Sequence, residues 1–469
     1  MIKIVISDDT LIPPFNEPAR DLRVLNKPLW LFQRDVLSPY CSQEIEFQQN
    51  IDHPLEIPGK TDQLIPPDQE LLVYRDNLFF DRHLLAAFIE RAKAKAEHEK
   101  KASQIAFSLN DAAIVTHALH LQEGIRREGD IYVADMWYFP EGLTAEIEPV
   151  VVDTLPREIG YYHVPAYMAA DRGDLAYQIP QRAFLSMENW VHVFVANIPF
   201  GIVAEGARFE GSIDRPKTMV RILLRSLVER KQFLSNSAMV QVGEGAQIDP
   251  TAIIQGPARI GTDVRIEAGA VITNSVIGNN VTIGQGAQVM ASIVSDGCYL
   301  PFRAAVFMTT LFENTMVAQN ACLQLSVVGR DTFIGAGNTF TDFNLLGKSI
   351  RTMHKGELQE VGLEVLGGCV GNNCRIGSGY VVYPARTIES DVVLISQQPG
   401  RRVISENISF EESDHHDWPG ELHEPLYRPD KIQADKQAAT ARTGRREIEK
   451  TSDTERTMVE RMINRIGRL

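Results

Sequence analysis

From Val242 onward an aliphatic residue returns about every six residues, and this period constrains the fold more than any other feature of the chain. Written in units, the stretch reads VGEGAQ-IDPTAI-IQGPAR-IGTDVR-IEAGAV-ITNSV-IGNNVT-IGQGAQ-VMASI-VSDGCYL. The leading residues are Val242, Ile248, Ile254, Ile260, Ile266, Ile272, Ile277, Ile283, Val289 and Val294. Small residues (Ala246, Ala252, Ala258, Ala270, Ala287) recur at the fifth place, and glycine or asparagine gathers between them, as at Gly261, Asn280 and Gly284. Such a unit suits one flat side of a triangular coil: a short strand sends one aliphatic side chain to the axis, and a tight corner follows. Glycine and asparagine tolerate the positive φ that corners demand. A single coil cannot bury its own apolar face, so coils must stack and share a continuous aliphatic core. The fold expected for residues 236–400 is therefore a left-handed parallel β-helix. The five-residue steps at Ile272 and Val289 have to be absorbed at corners or bulges.

The pattern fades between Leu300 and Gln324 and returns as LSVVGRDTFIGAGNTF. It is interrupted from Lys348 to Leu363, where the interruption reads as a projecting loop, and resumes as VLGGCVGNNCRIGSGYVVYPARTIESDVVLI. Ahead of the coil, residues 1–212 carry an α/β signature. IKIVI (2–6) is a buried-strand run closed by Asp8 and Asp9, and ELLVYRDNLFF (70–80) is a second. An amphipathic helix with Leu84, Leu85, Phe88 and Ile89 on its apolar stripe is predicted from Asp81 to about Lys101. NWVHVFVANI (189–198) reads as a further strand. Strand followed by helix implies a mostly parallel sheet with a ligand crevice at the strand C-termini. Pro216 opens a linking helix within 213–235, and its face of Val220, Leu223, Leu224, Leu227 and Val228 is expected to pack one domain on the other. Residues 401–469 read as a charged tail. In it, His415 and His416 beside Asp414 and Asp417 offer either metal ligands or a solvated acidic loop, and Val459, Met462, Ile463 and Ile466 form an apolar stripe at helical spacing.

Charge and cysteine usage bound the partners. A net charge of −14 over 469 residues argues against nucleic acid and anionic membranes, which need a local basic excess. The N-terminal apolar run is too short for a signal peptide, and no stretch is expected to reach the roughly 18–20 apolar residues of a membrane span. Five scattered cysteines, an odd number, read as reduced thiols in a cytoplasmic protein.

Three segments carry the chemistry. IVISDDTLIPPFNEPARDLRVLNKPLW holds Asp8 and Asp9, the basic residues Arg20, Arg23 and Lys27, and a Lys-Pro-Leu element. VYRDNLFF holds Asp76. LSVVGRDTFIGAGNTFTDFNLLGK (325–348) holds Asn338, Asp342, Asn344 and Lys348. Together these segments resemble the sugar-phosphate nucleotidyltransferases fused to a hexapeptide acyltransferase, in particular the divergent bacterial branch of the bifunctional N-acetylglucosamine-1-phosphate uridylyltransferase/glucosamine-1-phosphate acetyltransferase family. The resemblance implies that the partners are a nucleoside triphosphate and a sugar 1-phosphate. It places a magnesium ion on Asp76 with a second contact near 189–197, and the phosphates on Arg20, Arg23 and Lys27. Asp8 and Asp9 then either meet substrate or cap the turn after the first strand. The same likeness implies an acetyl-CoA site lined by Asn338, Asp342, Asn344 and Lys348, and a homotrimer of coils.

Two departures stand against it. The family's phosphate loop works through glycine and backbone N–H groups, whereas SDDTLIPPFNEPARDLR has no glycine and prolines at 13, 14 and 18. Where the acetyl-transfer motif carries a histidine base, this chain has Gln324, which accepts no proton at neutral pH. His354, in the projecting loop, either substitutes for that base or is solvated. Three readings follow: nucleotidyl transfer with an acyltransferase site in the coil, a binding or regulatory protein using the coil as a trimerisation scaffold, or an acyltransferase of unknown acceptor.

Overall fold

Three parallel eight-stranded sheets make the second half of the chain, in a computed structural model that describes residues 1–47, 54, 69–163, 174–213, 215–345, 348–395 and 399–432. The first sheet runs from Val240–Val242 to Thr387–Ile388, the second from Gln247–Ile248 to Val393–Leu394 and the third from Ile253–Gln255 to Val403–Ile404. Each strand pairs with its counterpart one coil later: Ile260 with Ile277, Ile266 with Ile283 and Ile272 with Val289. These aliphatic residues are buried in one continuous column. This fits the left-handed β-helix expected from the repeat. Val242 and Ile248 are exceptions: they are exposed because no coil lies beneath the first one.

The five-residue steps are absorbed at one corner. Asn274, Ala291, Met308 and Leu325 follow the strands of the third sheet in successive coils, and all four sit at φ 46°. Alanine, methionine and leucine are poor residues for this conformation. A ladder of hydroxyls holds them there: Ser275 Oγ accepts from the amide of Ser292 at 3.1 Å, and Ser292 Oγ from that of Thr309 at 3.0 Å. The coil does not fade between Leu300 and Gln324, where strands continue at Ala305–Phe307, Thr310–Leu311, Met316–Val317 and Cys322–Gln324. It also runs past residue 400. Val403–Ile404 completes the third sheet, and Ser413 and Asp414 accept backbone N–H groups of Val393 and Ile395. His415 Nδ1 lies 2.8 Å from Ser413 Oγ, and no metal-binding group of three or more His, Cys, Asp or Glu occurs among the described residues. The Val459–Ile466 stripe lies outside the described residues. Residues 1–422 form one unit, and residues from His423 form another.

The N-terminal half is a mixed α/β layer. Its sheet contains β1 (Ile2–Ile6), β2 (Gln43–Phe47), β3 (Leu71–Arg75), β4 (Ala102–Ser108), β5 (Ile125–Glu128), β6 (Ile131–Phe139) and β7 (Ile147–Val151), in the order β7-β4-β6-β3-β1-β2 with β5 paired to β6. β1 is parallel to β2 and β3, while β6 is antiparallel to β3 and β4. Helix α1 (Leu29–Leu37) follows the first loop, and α2 (Arg82–Glu99) follows β3, its N-terminus capped by Asp81, which accepts from the amide of Leu84 at 2.8 Å.

The segment read as a strand at 189–198 is a helix, α3 (Trp190–Asn197), started by an Asn189 cap. Every residue of α3 is buried, its polar His192 and Asn197 included, so no exposed polar face gives it a helical period. The run Trp190–Gly211, which continues into α4 (Ala204–Ile213), is long and apolar enough to cross a membrane, contrary to the sequence expectation. Its most apolar window is 83% buried inside the fold, as in a core helix. The linking helix α5 (Pro216–Glu229) begins at Pro216 as predicted, but the face expected to pack is exposed, from 52% at Leu223 to 80% at Val228. It docks through Ile222 instead, on the first coil.

Ile283 is wholly buried with a neighbour above and below in the column. Ile283→Ala should cost about 2–5 kcal/mol, read as a lowered denaturation midpoint with an unchanged slope.

Candidate functional site

The proline-rich loop after β1 meets the coil. Ser390 Oγ donates to the carbonyls of Pro14 and Phe15 at 2.7 and 3.0 Å, and Asn372 Nδ2 donates to Phe15 O at 3.1 Å and to Glu17 at 2.9 Å. Asn16 reaches Glu389, and the Phe15 ring stacks on Phe312 with centroids 5.3 Å apart. Gly371 permits this approach, because a Cβ there would lie 2.5 Å from Pro14 O. Arg330 pairs with Glu17 and Glu313, Arg23 also pairs with Glu313, and Asn26 donates to Asp296 at 2.9 Å. Burial pushes the Glu17 carboxyl up to about 7 against the opposing pull of Arg330. Arg23 thus faces the coil, and Lys27 lies 2.6 Å from Asp35 on α1. The expected phosphate cluster is dispersed; of its three cations only Arg20 stays beside Asp76.

A cleft of about 710 Å³ opens at the C-terminal ends of β1 and β3. Asp8, Arg75, Asn77, Arg126, Asp135, Glu188 and Asn189 line it. Asp135 on β6 receives Arg75 on one oxygen at 2.6 Å and Arg126 on the other at 2.7 Å, so two guanidiniums are fixed on one buried carboxylate. The Asp8 carboxylate accepts from the amide of Thr10 at 2.9 Å, a turn cap, and from Asn77 Nδ2 at 3.3 Å. Asn77 is buried and its Oδ1 has no hydrogen-bond partner. Asp9 is exposed.

Asp76 lies beneath this floor, 1% exposed. One oxygen accepts from the Asp8 amide at 2.8 Å and the other pairs with Arg20 at 3.2 Å, while Arg20 also holds Glu46. Burial lifts its carboxyl to about 7. These residues do not fit a magnesium ion on Asp76: both oxygens are engaged, a cation is already beside one of them, and no group of three or more His, Cys, Asp or Glu that could hold a metal occurs among the described residues.

His192 on α3 shapes the rim. Its Nδ1 accepts from the amides of Glu188 and Asn189 at 2.9 and 3.0 Å, and its Nε2 donates to His120 O at 2.8 Å. That pattern requires the neutral ring, and burial lowers its pKa to about 4. The Glu188 carboxylate in turn accepts from the amide of Gly124 and from Ser186 Oγ, both at 2.8 Å.

In the coil, Gln324 is half-buried near Cys322. The Asn338 amide is taken by the next coil: Nδ2 donates to Gly377 O at 2.9 Å and Oδ1 accepts from the Tyr380 amide at 2.6 Å. Asp342 is buried with Oδ2 unpartnered, and burial raises its pKa. Asn344 donates to the carbonyl of Lys348, whose side chain is exposed. His354 is buried at the N-terminal cleft, 3.4 Å from Asn189 Nδ2, and is neither a solvated loop residue nor part of the Gln324 strand. Sequence reasoning missed Arg75, Asn77, Arg126, Asp135, Glu188 and Asn189. One signal was present: Asp135 is the lone charge in the apolar strand IYVADMWYF.

Within the β-helix, residues 239–274 match the bacterial transferase hexapeptide (six repeats) family. The chain is 24% identical over 225 residues to gamma carbonic anhydrase 2, mitochondrial, of Arabidopsis thaliana, covering 46% of this chain and 71% of that protein. It is 26% identical over 197 residues to bifunctional protein GlmU of Acaryochloris marina (strain MBIC 11017), covering 35% of this chain and 41% of that protein. Among solved structures, the UDP-N-acetylglucosamine acyltransferase from Campylobacter jejuni is similar at 18% identity and a TM-score of 0.20, covering 31% of this chain and 64% of that one. The chain therefore spans less than two thirds of the latter two.

The buried groups make stability depend on pH in two opposite senses. His192, depressed to about 4, contributes stability that is full above its unfolded value of 6.5 and is lost as pH falls toward 4. Glu17, raised to about 7, contributes in the other sense, losing stability as pH rises from 4.5 through 7. In denaturation series from pH 4 to 8, His192→Gln should flatten the acid limb and Glu17→Gln the limb toward neutrality; unchanged limbs would refute these assignments.

Proposed function

We propose that this chain is a transferase of nucleotide-sugar metabolism, with the N-terminal cleft binding a nucleoside triphosphate and a sugar 1-phosphate and the coil of the acyltransferase type. One observation carries the reading: Arg75, Arg126, Asn77 and Asp8 converge at the C-terminal ends of β1 and β3, where open α/β sheets take ligands, in a chain whose coil matches a transferase family. In nucleotidyl transfer, an oxygen of the sugar phosphate bonds to the α-phosphorus as the bond to the β-phosphate bridge breaks and pyrophosphate leaves. Arg75 and Arg126, held in place by Asp135, neutralise charge on the phosphoryl oxygens without having to reorganise. Asn77 Oδ1 accepts a hydrogen bond from a sugar hydroxyl. Acetyl-CoA is the acyl donor that the coil would take, with Asn338, Asp342, Asn344 and Lys348 at or near the family's polar positions and Gln324 where its histidine base would stand. Assembly as a homotrimer and a cytoplasmic location belong to the same proposal, and all five cysteines are unbridged.

The docked proline-rich loop favours a second reading, a binding or regulatory protein with the coil as scaffold, because that loop offers carbonyls to the coil rather than amides to a triphosphate. The two readings separate in one assay. Purified protein is incubated with divalent cation, a panel of nucleoside triphosphates and sugar 1-phosphates, and pyrophosphate is measured, with thiol release from acetyl-CoA followed in parallel. At least one pair should turn over, and Arg126→Gln should lower kcat/KM by roughly ten- to a hundredfold, the value of about 1.5–3 kcal/mol for a charged hydrogen bond. No release of either product leaves only the scaffold.

A further inference from the structure

One wall of the cleft does not come from the N-terminal half. Between Phe340 and Cys369 the chain leaves the coil, and Arg351–His354 pairs antiparallel with Glu357–Glu360. Lys355 and Gly356 form the two-residue turn with φ of 48° and 85°, the type I′ geometry that matches strand twist and favours glycine. The base of the hairpin is fixed to the N-terminal half. Thr352 Oγ1 accepts from Trp190 Nε1 at 3.0 Å in a buried contact, and Met353 O accepts from Asn189 Nδ2 at 3.0 Å. Gly362, at φ 71°, packs so close to His120 that a Cβ would lie 2.2 Å from its ring. Met353, His354, Lys355 and Gly356 thereby line the same cleft as Arg75, Asn77 and Arg126.

We propose that this hairpin completes a composite ligand site and that Lys355 is the cation the β-helix supplies to a phosphate-bearing small molecule in the N-terminal cleft. The inference rests on the cleft reading above and adds a binding residue from the other half of the chain. Lys355 Nζ pairs with Glu123 at 2.5 Å, but the two side chains are 51% and 73% exposed. Pairs so exposed are worth little, so an entering anion can take the ammonium at small cost. Arg75 and Arg126, both held on Asp135, line the same volume as Lys355. The buried, unpartnered Asn77 Oδ1 calls for a donor, and a hydroxyl-bearing phosphoester supplies a donor and an anion together.

Binding is measured by calorimetry on the full chain at one fixed salt concentration, with inorganic pyrophosphate, uridine triphosphate and glucose 1-phosphate as probes. Lys355→Gln should weaken at least one probe about tenfold. Lys355→Arg should keep most of the affinity, and Lys217→Gln, exposed on α5, should leave it unchanged. Glu123→Gln breaks the same ion pair without removing the cation and should bind at least as tightly as the native chain. Equal binding by native protein and Lys355→Gln overturns the hairpin proposal, and so does equal weakening by Glu123→Gln and Lys355→Gln, which would mark the pair as structural. Loss on Arg126→Gln in either case leaves the cleft reading standing. Failure of the native chain to bind any probe overturns both.

Discussion

The seating of the loop from Pro14 to Arg23 on the coil is the contact that makes one structure of two architectures. Its chemistry suits its composition. Proline has no N–H to donate, but its carbonyl accepts, and here Ser390 and Asn372 donate to the carbonyls of Pro14 and Phe15. A glycine-rich loop offering amides would suit an anion; this loop suits a wall of donors. Around it Glu17, Arg330, Glu313 and Arg23 alternate in sign. Such networks gain little net energy once desolvation is counted, but losing one member strands its partners. The clamp therefore fixes orientation more than it adds stability.

The cleft inherits its shape from that clamp. β1 delivers Asp8 to the floor before the chain turns into the docked loop, and the coil returns the contact through its hairpin. Trp190, Asn189 and His192 lie at the junction: Trp190 and Asn189 bind the hairpin, and His192 holds the amides of Glu188 and Asn189. A neutral buried imidazole does this well, since it accepts at one nitrogen while donating at the other.

The coil was legible because its period is written in side-chain volume. After Leu300 the same inward place continues: Val306, Leu311, Val317 and Leu323 are each the buried second residue of their strand, but each five-residue step shifts a six-residue count, and phenylalanine, methionine and threonine fill the places between. α3 was illegible as a helix because burial on every side erases the amphipathic period. The exposed face of α5 shows the converse: amphipathicity marks a helix without saying which neighbour it meets. Arg126 and Asp135 share the β5–β6 hairpin, but Arg75 lies 60 residues before Asp135, and only the register that sets β6 against β3 brings it to them.

Asp76 shows why a residue's identity does not carry its role. The resemblance sends it to a metal, but a carboxylate engages a metal only when its lone pairs face an accessible volume. Here one oxygen holds the turn after β1 through the Asp8 amide and the other holds Arg20. A divalent ion would have to displace a guanidinium that also neutralises Glu46, and no group of three or more His, Cys, Asp or Glu placed to hold an ion occurs among the described residues. Arg20 already supplies the positive charge at that position, permanently protonated and held by two carboxylates. The cations that line the cleft itself are instead those of β3, β5 and the hairpin of the coil.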